Sequence, residues 1–303
     1  MKYLFKNNIC GWESWGKVFN SIDAFSDIIK KIFAMENIDF NHIELCTSGT
    51  NAVFRVGNYV VKIYAPKESG MNTESDYFTE CFGMERAEKL NILTPNVVAK
   101  GIIEDRYKFL YLIMEYIQGD TLGDIEDKLT DDDKFKVGEE LRTITEKLNT
   151  VTEPFNRINI IERELNNKRW NIFTESFNEE RVLYLKKLHL DNLVYVHGDI
   201  NPDNVLITKD KKLYLIDFAD AHTAPKEYEI PPLVCETFCF EKSFMKGYFG
   251  EENPVEIMEQ CIKGLLIHDF GSYMIKNNLG NIRDITSINI LKEKLYDAIT
   301  NRK

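Results

Sequence analysis

Apolar side chains recur at helical spacing between residues 18 and 37, where Phe25, Ile28, Ile29, Ile32 and Phe33 share one face. This predicts an amphipathic helix, with Ser21 or Asp23 placed to cap its start. The period then changes. Short strand-like runs follow at 43–46, 52–56 and 59–64, the last two flanking Gly57-Asn58, a two-residue hairpin signal. Residues 76–91 read as a helix that ends before Pro95. Two more strands are expected at 97–103 and 109–117, joined by the polar turn Glu104-Asp105-Arg106.

Beyond Gly119 the pattern becomes helical, over 131–149 and 160–190. Three short apolar strands are expected around 193–196, 204–207 and 213–217, and helices from about 230 onward. The fold class is therefore α+β with two lobes. Residues 1–116 make a small, mainly antiparallel sheet lobe with an inserted helix, and 117–303 a larger, mainly helical one; the joint falls near Tyr116 to Asp120. The sequence contains no internal repeat and no low-complexity stretch.

Composition narrows the classes of function. The 303 residues are 44% hydrophobic and 29% charged, enough to build a core. No apolar run reaches the roughly 18 residues that span a bilayer. The opening MKYLFKNNICGWESWGK is not expected to be a signal peptide, because Lys6, Asn7 and Asn8 break its short apolar stretch. Among six cysteines only Cys235 and Cys239 are close in sequence, with no second pair to complete a zinc site, so reduced thiols in a cytoplasmic protein are expected. The net charge of −11 opposes nucleic acid as a partner and is compatible with a cationic one.

The strongest chemical signal is Val196-His-Gly-Asp-Ile-Asn-Pro-Asp-Asn-Val-Leu-Ile207, followed by Leu215-Ile-Asp-Phe218. Asp199 and Asn204 lie between apolar strands, and Asp217 ends the next strand. Phosphoryl transfer needs such a set: one carboxylate to orient and deprotonate the attacking hydroxyl, and an amide oxygen and a second carboxylate to hold Mg²⁺ against phosphates. Pairing of 204–207 with 213–217 across the Lys209–Lys212 turn would bring the three groups together.

This H-G-D-x4-N with I-D-F resembles the aminoglycoside phosphotransferase group, distant relatives of the protein kinases, which carry H-R-D-x4-N and D-F-G at the matching places. Here Gly198 stands in place of the Arg and Ala219 in place of the Gly, departures usual in the small-molecule branch. By motif the resemblance covers roughly residues 43–222. It implies a protein-kinase-like two-lobe fold, Mg²⁺, and ATP or GTP as co-substrate. Asp199 is implied as catalytic base, with Asn204 and Asp217 as metal ligands. Lys62, alone within the apolar run Val60–Tyr64, is implied to hold the nucleotide phosphates. Glu80 lies in the following helix, 15 residues before Pro95, and is placed to pair with Lys62. The loop Thr47-Ser48-Gly49-Thr50-Asn51 offers N–H groups and hydroxyls to phosphate oxygens. Backbone groups of Glu115 and Ile117 match the positions that read the adenine edge.

The implied acceptor is an aminoglycoside or another hydroxylated, often amine-bearing metabolite, with no nucleic acid or membrane partner. Residues 223–249 and the helices around 155–185 are expected to face it. Glu227, Glu229, Glu236 and Glu241 fall in the first region. Two further signals are read as scaffold or decoy. His197 belongs to the backbone scaffold of the catalytic loop. The literal Asp269-Phe270-Gly271 lies 70 residues after Asp199 and is read as structural. Two rival classes remain: a nucleotide-binding pseudokinase or regulatory module, opposed by the complete residue set, and an atypical protein kinase, opposed by the missing Arg and Gly.

Overall fold

Ser21 begins the first long helix, its hydroxyl accepting the N–H of Ala24. In the computed structural model, which describes residues 3–46 and 49–301, that helix is α2 (Ile22–Met35), preceded by the short α1 (Trp12–Gly16). A helix of 14 residues is marginal on its own in water, so its stability comes from packing. Phe25, Ile28, Ile29, Ile32 and Phe33, the residues of the predicted face, are all fully buried. Each such side chain contributes roughly 1.5–3 kcal/mol on burial.

They pack on a five-stranded antiparallel sheet of order β1-β2-β3-β5-β4. Its strands are β1 (Ile43–Leu45), β2 (Ala52–Val56), β3 (Tyr59–Ile63), β4 (Val97–Glu104) and β5 (Lys108–Glu115). Gly57 turns the β2–β3 hairpin at φ 62°, so that Val56 pairs with Tyr59. Alternation along the strands sorts the faces. Val61 and Ile63, opposite Ile113 and Tyr111, join the core beneath α2. Lys62, opposite Leu112 and Val53, belongs to the other face. Helix α3 (Thr73–Lys89) separates β3 from β4.

The chain divides into two compact units, one of Met1–Glu85 and Thr94–Gln118, the other of Arg86–Leu93 and Gly119–Lys303. The second unit is mainly helical: α4 (Leu122–Ile125), α5 (Asp131–Leu148), α6 (Ile160–Leu165), α7 (Glu175–Lys187), α8 (Lys242–Phe249), α9 (Pro254–Ile267), α10 (Gly271–Asn278) and α11 (Ile288–Asn301). Helices α5 and α8 meet at glycines: a Cβ on Gly138 would lie 2.4 Å from the Phe244 carbonyl oxygen, and one on Gly247 2.1 Å from that of Phe135. Short strands β6 (Gly119–Thr121), β8 (Val205–Thr208) and β9 (Leu213–Leu215) form one antiparallel sheet. Strands β7 (Val194–Val196) and β10 (His222–Ala224) form another. Strands β6 and β10 carry no sequence signal of their own.

The continuous helix expected over 160–190 is instead broken. After α6 the chain makes a 3-10 turn at Lys168–Ile172, capped by Asn167, and α7 restarts behind the Thr174 cap. The break serves a buried charge. Glu164, with no exposed surface, takes hydrogen bonds from Arg181 at 2.7 Å, Trp170 at 3.2 Å and Asn167 at 3.1 Å. A buried carboxylate needs such partners, and the reversal between α6 and α7 supplies Arg181.

Candidate active site

The expected β8–β9 pairing forms, with Val205 opposite Leu215 and Ile207 opposite Leu213. Its two ends carry the candidate residues. Asn204 closes a 3-10 turn (Pro202–Asn204) just before β8, and the Ile216 N–H, just after β9, donates to the Asn204 carbonyl at 3.1 Å. The next residue, Asp217, sits at φ 60°, ψ 70°. A left-handed backbone at an Asp costs roughly 1–2 kcal/mol and is held here by the surrounding turn.

Asp199 is half-buried and both its oxygens are fixed. Asn201 Nδ2 donates to Oδ1 at 3.0 Å. Asn204 Nδ2 donates to Oδ2 and to the Asp199 carbonyl, each at 2.9 Å. Asn201 also caps the 3-10 turn, its Oδ1 accepting the N–H groups of Asp203 and Asn204. Burial pushes Asp199 up to about 7, and the nearby Asp217 and Glu236 carboxylates add to this; the two asparagine amides act against it.

The loop carrying Asp199 is held from behind. Gly198 has φ +83°, and a Cβ there would lie 2.6 Å from the Asp220 carbonyl oxygen. An Arg at this position would meet the same obstacle, which is the physical reason for H-G-D here. His197 is fully buried; its Nε2 lies 3.1 Å from the Ile216 carbonyl oxygen and its Nδ1 accepts the Asp199 N–H. Burial lowers its pKa to about 4, with the Asp217 charge opposing, so the ring is neutral and acts as scaffold. His268 Nε2 donates to the Gly198 carbonyl at 3.0 Å. The Asp269-Phe270-Gly271 segment is thus structural: Asp269 pairs with Arg169 at 2.6 Å, and Phe270 N donates to His268 Nδ1.

Glu229 differs from its expected place. It lies in no acceptor-facing surface: it is fully buried and accepts the backbone N–H groups of His197 and Gly198, and Asn149 Nδ2 at 3.3 Å. Burial pushes it up to about 7 against those three donors. Glu227 and Glu241 are committed to Lys263 and Lys134, at 2.8 and 2.6 Å. Glu236 differs from these. Its half-buried carboxylate has no hydrogen-bond or ion-pair partner among the described residues, and burial, with Asp203 beside it, raises its pKa. The parts that Asn201, Glu229 and His268 play in holding the Asp199 loop escaped sequence reasoning. The Asn-Pro step after Asp199 was the one available cue, for Asn201.

In the first unit Lys62 Nζ and Glu80 Oε2 are 2.7 Å apart, with both side chains buried. The Tyr64 hydroxyl donates to the same Glu80 oxygen. Lys62 is therefore held in a fixed direction. Of the loop before β2, Thr47 and Ser48 lie outside the described residues. Gly49 has open space where a Cβ would stand. The Thr50 carbonyl accepts Trp15 Nε1 at 2.8 Å, and the buried Asn51 Oδ1 accepts the Ala65 N–H at 3.1 Å. At the end of β5, Glu115 is tied to Asn96 through backbone and side chain. The Ile117 N–H donates to no group among the described residues.

The donor chemistry fits a hard cation. Asn204 spends its Nδ2 on Asp199, which leaves its Oδ1 for a metal, and Asp217 is exposed. Among the described residues no group of three or more His, Cys, Asp or Glu forms a metal cage. One amide and one carboxylate completed by phosphate oxygens is the pattern usual for Mg²⁺.

The fold is shared with solved structures at low sequence identity. The GDP and kanamycin complex of APH(2")-IIia superposes with a TM-score of 0.60 at 18% identity, covering 91% of this chain and 99% of that one. The streptomycin–ATP–APH(2")-IIa ternary complex gives 0.60 at 18%, with 89% and 98% covered. The choline kinase LicA from Streptococcus pneumoniae gives 0.56 at 17%, with 92% and 99% covered. No curated protein sequence matches. No described helix is long and apolar enough to cross a membrane. Residues 42–248 match the model of the phosphotransferase enzyme family, APH, and since this is more than half of the chain, the protein belongs to that family.

Proposed function

We propose that this phosphotransferase moves the γ-phosphoryl group of Mg-ATP to a hydroxyl of an amine-bearing small molecule. The observation that carries the reading is Asp199, fixed at both oxygens by Asn201 and Asn204 beside Asp217. In this reading Asp199 orients the acceptor hydroxyl and takes its proton as the O–P bond forms. Its raised pKa suits a proton acceptor working near neutral pH. Asn204 Oδ1 and the Asp217 carboxylate would hold Mg²⁺, which supplies charge neutralisation on the phosphate oxygens. Lys62, directed by Glu80 and Tyr64, would bind phosphate oxygens of the nucleotide. Gly49, Thr50, Asn51 and Ser48 are assigned to the same phosphates, and the backbone of Glu115 and Ile117 to the base. The solved relatives hold ATP or GDP, which supports a nucleotide donor and leaves ATP and GTP both to be tried.

The amine on the acceptor is inferred from Glu236. Its unpaired, half-buried carboxylate is close enough to raise the Asp199 pKa, and Asp203 lies beside it. A buried carboxylate without a cation is costly, and a cationic acceptor would offset that cost. The solved relatives named for kanamycin, streptomycin and choline fit the same chemistry.

The test is ADP release from MgATP and MgGTP with matched acceptor pairs, each amine beside its N-acetylated form. Turnover that needs the free amine and falls with Glu236→Gln supports the reading. Turnover of neutral sugars at equal rate, unaffected by Glu236→Gln, would reject the amine.

A further inference from the structure

The excess negative charge is not spread evenly. The second unit carries a cleft of about 620 Å³ whose lining includes Arg157, Arg163, Lys168 and Arg169, with Glu162 and Asp269 as its only carboxylates among the described residues. In a chain of net charge −11, four cations around one cleft need an explanation.

Internal pairing accounts for part of this charge. Asp269 is taken by Arg169 at 2.6 Å. Arg163 leans on the buried Glu164 at 3.1 Å, but Glu164 is shared with Arg181 at 2.7 Å. Five cations therefore meet three carboxylates. The side chains of Arg157 and Lys168, both exposed, have no hydrogen-bond or ion-pair partner among the described residues. All four cations line one shallow, open depression whose volume is in the range that takes a small molecule. Guanidinium groups offer paired donors that match phosphate and carboxylate oxygens.

The cleft wall is also connected to the loop of Asp199. The Tyr228 hydroxyl receives Arg163 Nη2 at 2.8 Å and the Asp269 N–H at 3.1 Å. The Tyr228 ring stacks on His268 at 4.2 Å, and His268 holds the Gly198 carbonyl.

We propose that this cleft binds a small polyanion, a molecule bearing two or more phosphate or carboxylate groups, at a site separate from the residues assigned to phosphoryl transfer. Arg157 and Lys168 supply the free charges, and Arg163 and Arg169 are held ready by Tyr228 and Asp269. Binding there reaches the Asp199 loop through Tyr228 and His268.

Calorimetric titration of the full chain with inorganic pyrophosphate, and separately with citrate, at matched ionic strength tests this and separates the phosphate from the carboxylate class. One saturable site is expected for at least one probe. The double variant Arg157→Gln/Lys168→Gln should weaken it by about tenfold or more, and Arg157→Lys/Lys168→Arg should restore it. Neither residue has a structural partner, so the variants should melt with the wild type, and the paired variant Lys62→Met/Glu80→Gln, which leaves no stranded buried charge, should bind the probe unchanged. Absence of saturable binding for both probes, equal binding by Arg157→Gln/Lys168→Gln, or loss of binding confined to Lys62→Met/Glu80→Gln would each overturn the proposal. The last outcome would put the anion at the nucleotide-phosphate residues.

Discussion

Glu229, with no exposed surface, accepts the backbone N–H of His197 at 2.7 Å and of Gly198 at 3.0 Å, one on each carboxylate oxygen. It thereby fixes the two residues that precede Asp199. Glu229→Gln places an amide donor against one of those N–H groups. The expected cost is about 1–3 kcal/mol, read as a lower urea midpoint. A glutamine variant as stable as the wild type would show that the carboxylate is not what holds this loop.

Gly198→Ala should be worse than its size suggests. The left-handed φ costs about 1–3 kcal/mol for a residue with a side chain, and the new Cβ would press on the Asp220 carbonyl. Displacing Asp199 by even about 1 Å is expected to lower kcat by about 100-fold, with nucleotide KM little changed. Steady-state kinetics of the purified variant would check this; unchanged kcat would mean that the loop tolerates the shift.

Lys62 and Glu80 form a buried pair, so removing one partner strands the other. Lys62→Met should destabilise the fold by about 3–5 kcal/mol. Adding Glu80→Gln should recover most of that loss without restoring turnover. Recovery of both would show that the lysine charge has no chemical task.

Stability should also depend on pH through His222. Its ring is fully buried, with Nδ1 2.8 Å from the Asp220 carbonyl oxygen and Nε2 without a hydrogen-bond partner among the described residues. Burial, aided by Arg163, lowers its pKa to about 3, against an ordinary 6.5. The unfolded chain therefore binds the proton first. The stability held by the neutral ring is complete above pH 6.5 and is lost as pH falls toward 3, by about 1.4 kcal/mol per pH unit. His222→Asn keeps the donor and removes the titration. The stability gap between wild type and variant should shrink from pH 7.5 to pH 5 in urea titrations; a constant gap would contradict a buried neutral His222.

Much of this was legible because it is periodic or local. The face of α2, the Gly57-Asn58 hairpin, the β8–β9 hairpin and the approach of Glu80 to Lys62 each follow from spacing or from the motif. What stayed hidden depends on contacts between distant backbone groups. Glu229 and His268 act on Gly198 from 31 and 70 residues away, through an N–H and a carbonyl that no side-chain pattern announces. Sequence assigned Glu229 to a substrate surface because it falls, with Glu227, Glu236 and Glu241, in the 223–249 region expected to face an amine-bearing acceptor. The break between α6 and α7 was missed for a related reason: it serves the burial of Glu164 against Arg181, a pairing that helical periodicity does not encode.

The most direct measurement is single-turnover transfer of labelled γ-phosphate from MgATP to an accepted amine-bearing alcohol, comparing wild type with Asp199→Asn. The substitution keeps an oxygen for Asn201 and removes the proton acceptor. The account predicts equal nucleotide binding by the two proteins and a transfer rate lowered by about 100-fold or more in the variant. Transfer at the wild-type rate by Asp199→Asn would contradict the assignment of Asp199 as base.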